Sequence, residues 1–188
     1  MVLPRLRMLK LTIQVESYSW DDSINQVFTH FSNTLEHLTF AYSPLSRQAA
    51  VDMLNRLPNL RNMSFSGRSD LAEDWDEILG ALTLPSAGNG NEQSVSGPNP
   101  KLAHMRLDWS EDITDEIGTD ENIALFYQAF GTMIESRWRG RLQAVNATIG
   151  GLAVPGLMSV YLSRRYMKNI EEVAPEAHAQ IARCIAEG

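Results

Sequence analysis

Apolar residues recur along this chain in two alternating rhythms. The first is a six-residue pattern, apolar-x-x-apolar-x-apolar. It occurs at Leu6–Leu11, Leu35–Phe40, Leu60–Phe65, Leu102–Leu107 and, more loosely, Leu142–Ala147. Its second half has the period-two alternation of a half-buried strand, and it predicts strands near 6–13, 35–42, 60–66, 102–109 and 142–149.

Between these copies the apolar period lengthens to about 3.6, the helical value. Ile24, Val27, Phe28 and Phe31 share a helical face behind Asp21 and Asp22, residues that favour a helix start. Ser46 can cap a second helix carrying Ala50, Val51 and Leu54, and Asp70 a third carrying Leu71, Trp75, Ile78, Leu79 and Leu82. The fourth follows Asp120 and presents Ile123, Phe126, Tyr127, Phe130, Met133, Ile134 and Trp138. Near the C-terminus, Pro155 to Lys168 and Pro175 to Glu187 read as two helices, each with proline near its first turn.

The first leucines of the copies stand at 6, 35, 60, 102 and 142, at intervals of 29, 25, 42 and 40 residues. The 42-residue interval contains a small, polar run at 86–100, and removing its 15 residues restores a period of 27. A strand signature repeating at this period, with helices between, predicts a stacked α/β array. Parallel strands would line its concave face and helices its convex face. Residues 1–154 are expected to form the array, with a flexible insertion at 86–100, and residues 155–188 a helical C-terminal cap.

Composition narrows the function classes. The 188 residues carry a net charge of −7, which argues against nonspecific nucleic-acid binding. The single cysteine, Cys184, excludes an internal disulfide and fits a reducing, intracellular setting, cytoplasmic or nuclear. No run approaches the length of a membrane span, so no membrane partner is expected.

The motif with its leading Leu-Pro, as in Leu3-Pro4-Arg5-Leu6 and Leu57-Pro58-Asn59-Leu60, resembles irregular leucine-rich repeats. In particular it looks like the C-terminal half of fungal F-box/leucine-rich-repeat proteins. The resemblance spans residue 3 to about 150. It implies a short leucine-rich-repeat solenoid that binds a protein partner without catalysis, as the substrate-recognition part of a ubiquitin-ligase adaptor does. No residues match an F-box, so a Skp-type adaptor is an expected partner only if an F-box lies upstream of Met1. The alternatives are a truncated repeat remnant without a partner and, at a distance, a small hydrolase.

Strand alternation selects the displayed side chains. One column would hold Met8, His37, Asn62, His104 and Ala144; the next Lys10, Thr39, Ser64, Arg106 and Asn146; the third Thr12, Ala41, Ser66, Asp108 and Thr148. From these, Lys10, His37, Thr39, Asn62, Ser64, His104, Arg106, Asp108 and Asn146 are the candidate partner-binding residues. The set is small, polar and without aromatic anchors.

No catalytic, cofactor or metal constellation is read. His37 and His104 share a column, but Asn62 separates them, which puts them about 9–10 Å apart at ordinary strand spacing. That exceeds the roughly 2 Å reach of zinc ligands. The acidic stretch from Asp108 to Glu121 lacks the alternating ligand positions of a calcium loop. Arg164, Arg165 and Lys168 form a small basic patch, read as a solvated face.

Overall fold

The computed structural model describes residues 6–12, 22–41, 47–66, 75–84, 99–108, 120–146, 157–162 and 170–187. Its strands are β1 (Met8–Thr12), β2 (His37–Ala41), β3 (Asn62–Ser66), β4 (His104–Asp108) and β5 (Ser159–Leu162). Its helices are α1 (Asp22–Phe31), α2 (Arg47–Arg56), α3 (Trp75–Leu82), α4 (Asp120–Asn146), α5 (Ile170–Val173) and α6 (Pro175–Ala186). The chain is an α/β protein with one five-stranded sheet, all parallel, in the order β1-β2-β3-β4-β5.

The six-residue pattern explains the packing position by position. Its first leucine precedes each strand: Leu35, Leu60 and Leu102 are wholly buried, Leu157 nearly so, and Leu6 at the β1 edge half-buried. The next apolar residues, Leu38, Met63 and Met105, align across neighbouring strands, as do Phe40, Phe65 and Leu107. Their hydrophobic cluster takes in Phe28 of α1, Met53 of α2, Ile78 of α3, Phe130 of α4, Ile170 of α5 and Ile181 of α6. The helices therefore cover one face of the sheet, burying apolar area that neither layer could hide alone. Within the core, the Phe40 and Phe65 rings stack at 5.5 Å, and Phe65 meets Trp75 edge-on at 5.1 Å.

A second regularity lies in the backbone. The carbonyl of Arg7 accepts the N–H groups of both Glu36 and His37. The carbonyls of Glu36, Arg61 and Ala103 do the same for Arg61/Asn62, Ala103/His104 and Met158/Ser159. Each strand therefore enters the sheet through the same paired bond to its predecessor, which fixes register at every junction.

Buried polar groups close the helix ends. Asn99 sits at φ 50°, in the left-handed region, and is 1% exposed. Its side-chain amide donates to the carbonyls of Leu54 (2.9 Å) and Leu57 (2.7 Å) at the end of α2. Arg137, equally buried, donates through Nε to the Leu82 carbonyl that ends α3 (2.7 Å) and through a terminal nitrogen to the Asn99 carbonyl (3.0 Å). Leu54, Leu57 and Leu82 are carbonyls at helix C-termini, and the cation at Leu82 also meets the negative end of the helix dipole. Burial lowers the Arg137 pKa to about 10, so the guanidinium stays charged at neutral pH.

Two expectations are overturned. Residues 142–146 continue α4 and form no strand. Leu142 and Val145 extend the helical spacing begun by Ile134 and Trp138, so the loose fifth copy is also a helix face. The fifth strand is β5, inside the segment expected to be a helix from Pro155 to Lys168. Leu157, Val160 and Leu162 are its apolar positions. The sheet thus runs past the expected boundary at 154/155, and the helices that follow it are α5 and α6. The polar run 86–98, the acidic stretch 111–119, Trp20, Trp109 and the basic residues Arg164, Arg165 and Lys168 lie outside the described residues.

Candidate functional site

No described helix covers the other face of the sheet. The register builds its first row from Met8, His37, Asn62, His104 and Ser159. Lys10, Thr39, Ser64, Arg106 and Tyr161 make the second. Thr12, Ala41, Ser66 and Asp108 make the third. Eight of the nine expected contact residues, Lys10, His37, Thr39, Asn62, Ser64, His104, Arg106 and Asp108, therefore share this face. Asn146 does not: it is the last residue of α4. Ser159 and Tyr161 take the places that Ala144 and Asn146 were expected to fill.

A shallow groove of about 330 Å³ crosses all five strands here, with Met8 at one end and Tyr161 at the other. Thr39, Asn62 and Ser64 form its half-buried, polar floor. The β4–β5 end is chemically denser. Arg106 donates to Asp108 Oδ2 at 2.6 Å, and its guanidinium lies 4.4 Å from the ring centre of Tyr161 on the next strand. The hydrogen bond to Asp108 holds the Arg106 pKa above its ordinary value. Tyr161 remains 47% exposed, so one side of the ring stays available. Beside this pair, His104 Nδ1 and Ser159 Oγ share a hydrogen bond of 2.7 Å, also across matched positions.

The groups on this face can hydrogen-bond and stack. A serine nucleophile needs a base that a third group orients. Among the described residues no carboxylate bonds the His104 ring, and Asp108, at the far end of β4, is engaged by Arg106. No group of three histidine, cysteine or acidic residues able to hold a metal ion occurs among the described residues. What the face offers is hydrogen-bond donors and acceptors in rows, a cation at Lys10, and a guanidinium stacked on an exposed ring. An exposed Arg–Tyr pair is the composition of an interface anchor.

A second cavity, of about 450 Å³, lies at the β5 edge between α4 and α6. Phe130, Ile134, Trp138, Leu157, Ile181 and Cys184 are among its walls, which carry no charged side chain. Burial, reinforced by Glu135, pushes the Cys184 thiol pKa up and leaves the sulfur an inert wall.

Tyr161 is the residue sequence reasoning missed, and a signal for it exists. Pro4, Pro58, Pro100 and Pro155 each stand two residues before the first leucine of a copy, at Leu6, Leu60, Leu102 and Leu157. Gly140 holds that place before Leu142. Asn33 holds it before Leu35, so the proline is not obligatory, but its presence at Pro155 marks the Leu157 copy and puts Tyr161 in the row of Arg106.

Comparison of the chain with protein-family models, curated proteins and solved structures found no match. No described helix is long and apolar enough to cross a membrane.

Proposed function

We propose that this chain is a short leucine-rich-repeat-like solenoid acting as a non-enzymatic protein-binding module, with the helix-free sheet face as its binding surface. The sequential parallel strand order, the recurring leucine positions and the repeated strand-entry bonds support the repeat reading. The observation that carries the binding reading is the Arg106–Tyr161 pair, an exposed aromatic and a guanidinium stacked over a polar groove. In a ligase adaptor, this face would be the one that receives substrate.

The test is site-directed photo-crosslinking in the native cell. A benzophenone amino acid in place of Tyr161 should give a discrete adduct. The same group in place of Gln128, exposed on α4, should not. Tyr161→Ala should weaken capture of the cross-linked protein by roughly tenfold, the usual effect of removing an interface anchor. No adduct at 161, or the same adducts from both positions, would defeat the reading.

A further inference from the structure

The cations of the helix-free face stand in one row, and that arrangement limits what can lie there. Although the chain has 23 acidic and 16 basic residues, the first two rows of this face hold no acid. Lys10 and Arg106 are cations of the same row, separated by Thr39 and Ser64. The third row supplies Asp108, which is already bonded to Arg106. That bond uses one of five guanidinium donors and leaves others for an incoming acceptor. No ion pair links Lys10 to an acid of the described residues.

Resting on the binding role argued above, we propose that the face accepts an extended acidic segment of a protein partner, laid across the strands, with carboxylates on Lys10 and Arg106. The spacing follows from geometry. Three strand intervals separate Lys10 from Arg106, about 14 Å at ordinary sheet spacing. An extended chain advances about 3.4 Å per residue, so acids roughly four positions apart span that distance. An even separation also sets both carboxylates on one side of the segment. The residue midway between them faces the Thr39 and Ser64 hydroxyls, which can bond a small polar side chain or a backbone carbonyl. One strand beyond Arg106, the Tyr161 ring offers an apolar surface for the flank of the acidic pair.

The experiment is selection of random twelve-residue displayed peptides on the purified full chain, repeated on Ser64→Trp, which fills the groove floor. Enriched peptides should carry paired Asp or Glu about four positions apart and should not bind Ser64→Trp. With one such peptide, Lys10→Glu and Arg106→Gln should each weaken binding about tenfold. Asp108→Asn should tighten it by freeing the guanidinium, and raising the salt to about 1 M should weaken it, since both contacts are solvent-exposed. Lys10 and Arg106 are exposed, so those variants keep the test decisive if Ser64→Trp fails to fold. Peptides without acids that are still blocked by Ser64→Trp would overturn the acidic class and leave the binding face intact. Acidic peptides indifferent to Lys10→Glu would overturn the two-cation geometry. No enrichment, or peptides indifferent to both Ser64→Trp and Arg106→Gln, would overturn this proposal and the binding reading together.

Discussion

Asn99 concentrates three demands in one residue: a left-handed backbone, a donor to the end of α2 and a carbonyl for Arg137. Asparagine tolerates positive φ better than other residues with a β-carbon, because its short amide bonds locally. Asn99→Ala should lower stability for two separable reasons. The Leu54 and Leu57 carbonyls keep backbone donors from Leu57 and Leu60, so losing the amide costs about 1–2 kcal/mol, the lower part of the usual range. Forcing alanine into φ 50° adds about 1 kcal/mol or more. Asn99→Gly removes only the first contribution, so urea midpoints should fall in the order wild type, Gly, Ala. Equal midpoints for the two variants would show that the backbone angle is not a constraint. Arg137 was hidden from sequence reading for a related reason. An arginine on an amphipathic helix is ordinarily a solvated residue, and only the meeting of the α3 end with the Asn99 turn gives it buried acceptors.

Among the elements, α4 and α6 fit through a close approach at Gly131. A β-carbon there would lie 3.1 Å from both Cα and Cβ of Ala177 and 2.7 Å from Oε1 of Gln180. Gln180 can swing aside; the α6 backbone can yield only by lifting Ile181 and Cys184 from the core. Gly131→Leu should therefore cost about 1–3 kcal/mol by overpacking, read as a lowered thermal midpoint. In Gly131→Ala the gain in helix propensity, about 1 kcal/mol, opposes the squeeze. An unchanged midpoint for the leucine variant would mean that α6 does not seat on α4. The element scale also shows why four strands were legible and the fifth was not. In β2 to β4 a buried face fixes the alternation, and a slip by one residue would turn Phe40 or Leu107 outward. Leu142-x-x-Val145 satisfies a strand start and a helix face equally well. With no preceding proline to end the helix, the long amphipathic run of α4 continues through it. Eight of the nine candidate residues could be placed on one face from sequence, because that placement depends only on alternation within the four clear strands. Tyr161 and Ser159 depended on finding β5.

For the whole molecule, the hydrophobic cluster is continuous from Phe28 to Cys184, linking every described helix to the sheet. The C-terminal helices are thus a wall of the same core that the sheet packs on. Ile170, Ala174, Ala177, Ile181 and Cys184 are all buried there, against a surface that includes Phe130 and Ile134 of α4. Glu135 of α4 is bonded by Arg139 (2.6 Å) and by Arg183 of α6, a surface ion pair that joins the two helices. An apolar face left without a neighbour would stand exposed to water. Ending the chain after residue 169 would remove two buried isoleucines worth roughly 1.5–3 kcal/mol each. It would also uncover their counterparts on α4. That loss is a large part of the 5–15 kcal/mol that holds a typical domain. The shortened chain should lose its sharp thermal transition and bind the dye ANS, and the intact chain should melt in one cooperative step by circular dichroism and by Trp fluorescence alike. If α5 and α6 instead formed a separate cap, the truncated chain would keep a cooperative melt and the intact chain would show two transitions. The unbroken core from β1's neighbours to α6 favours the single step, and it implies that mutations in α6 will be felt at the β4–β5 end of the groove.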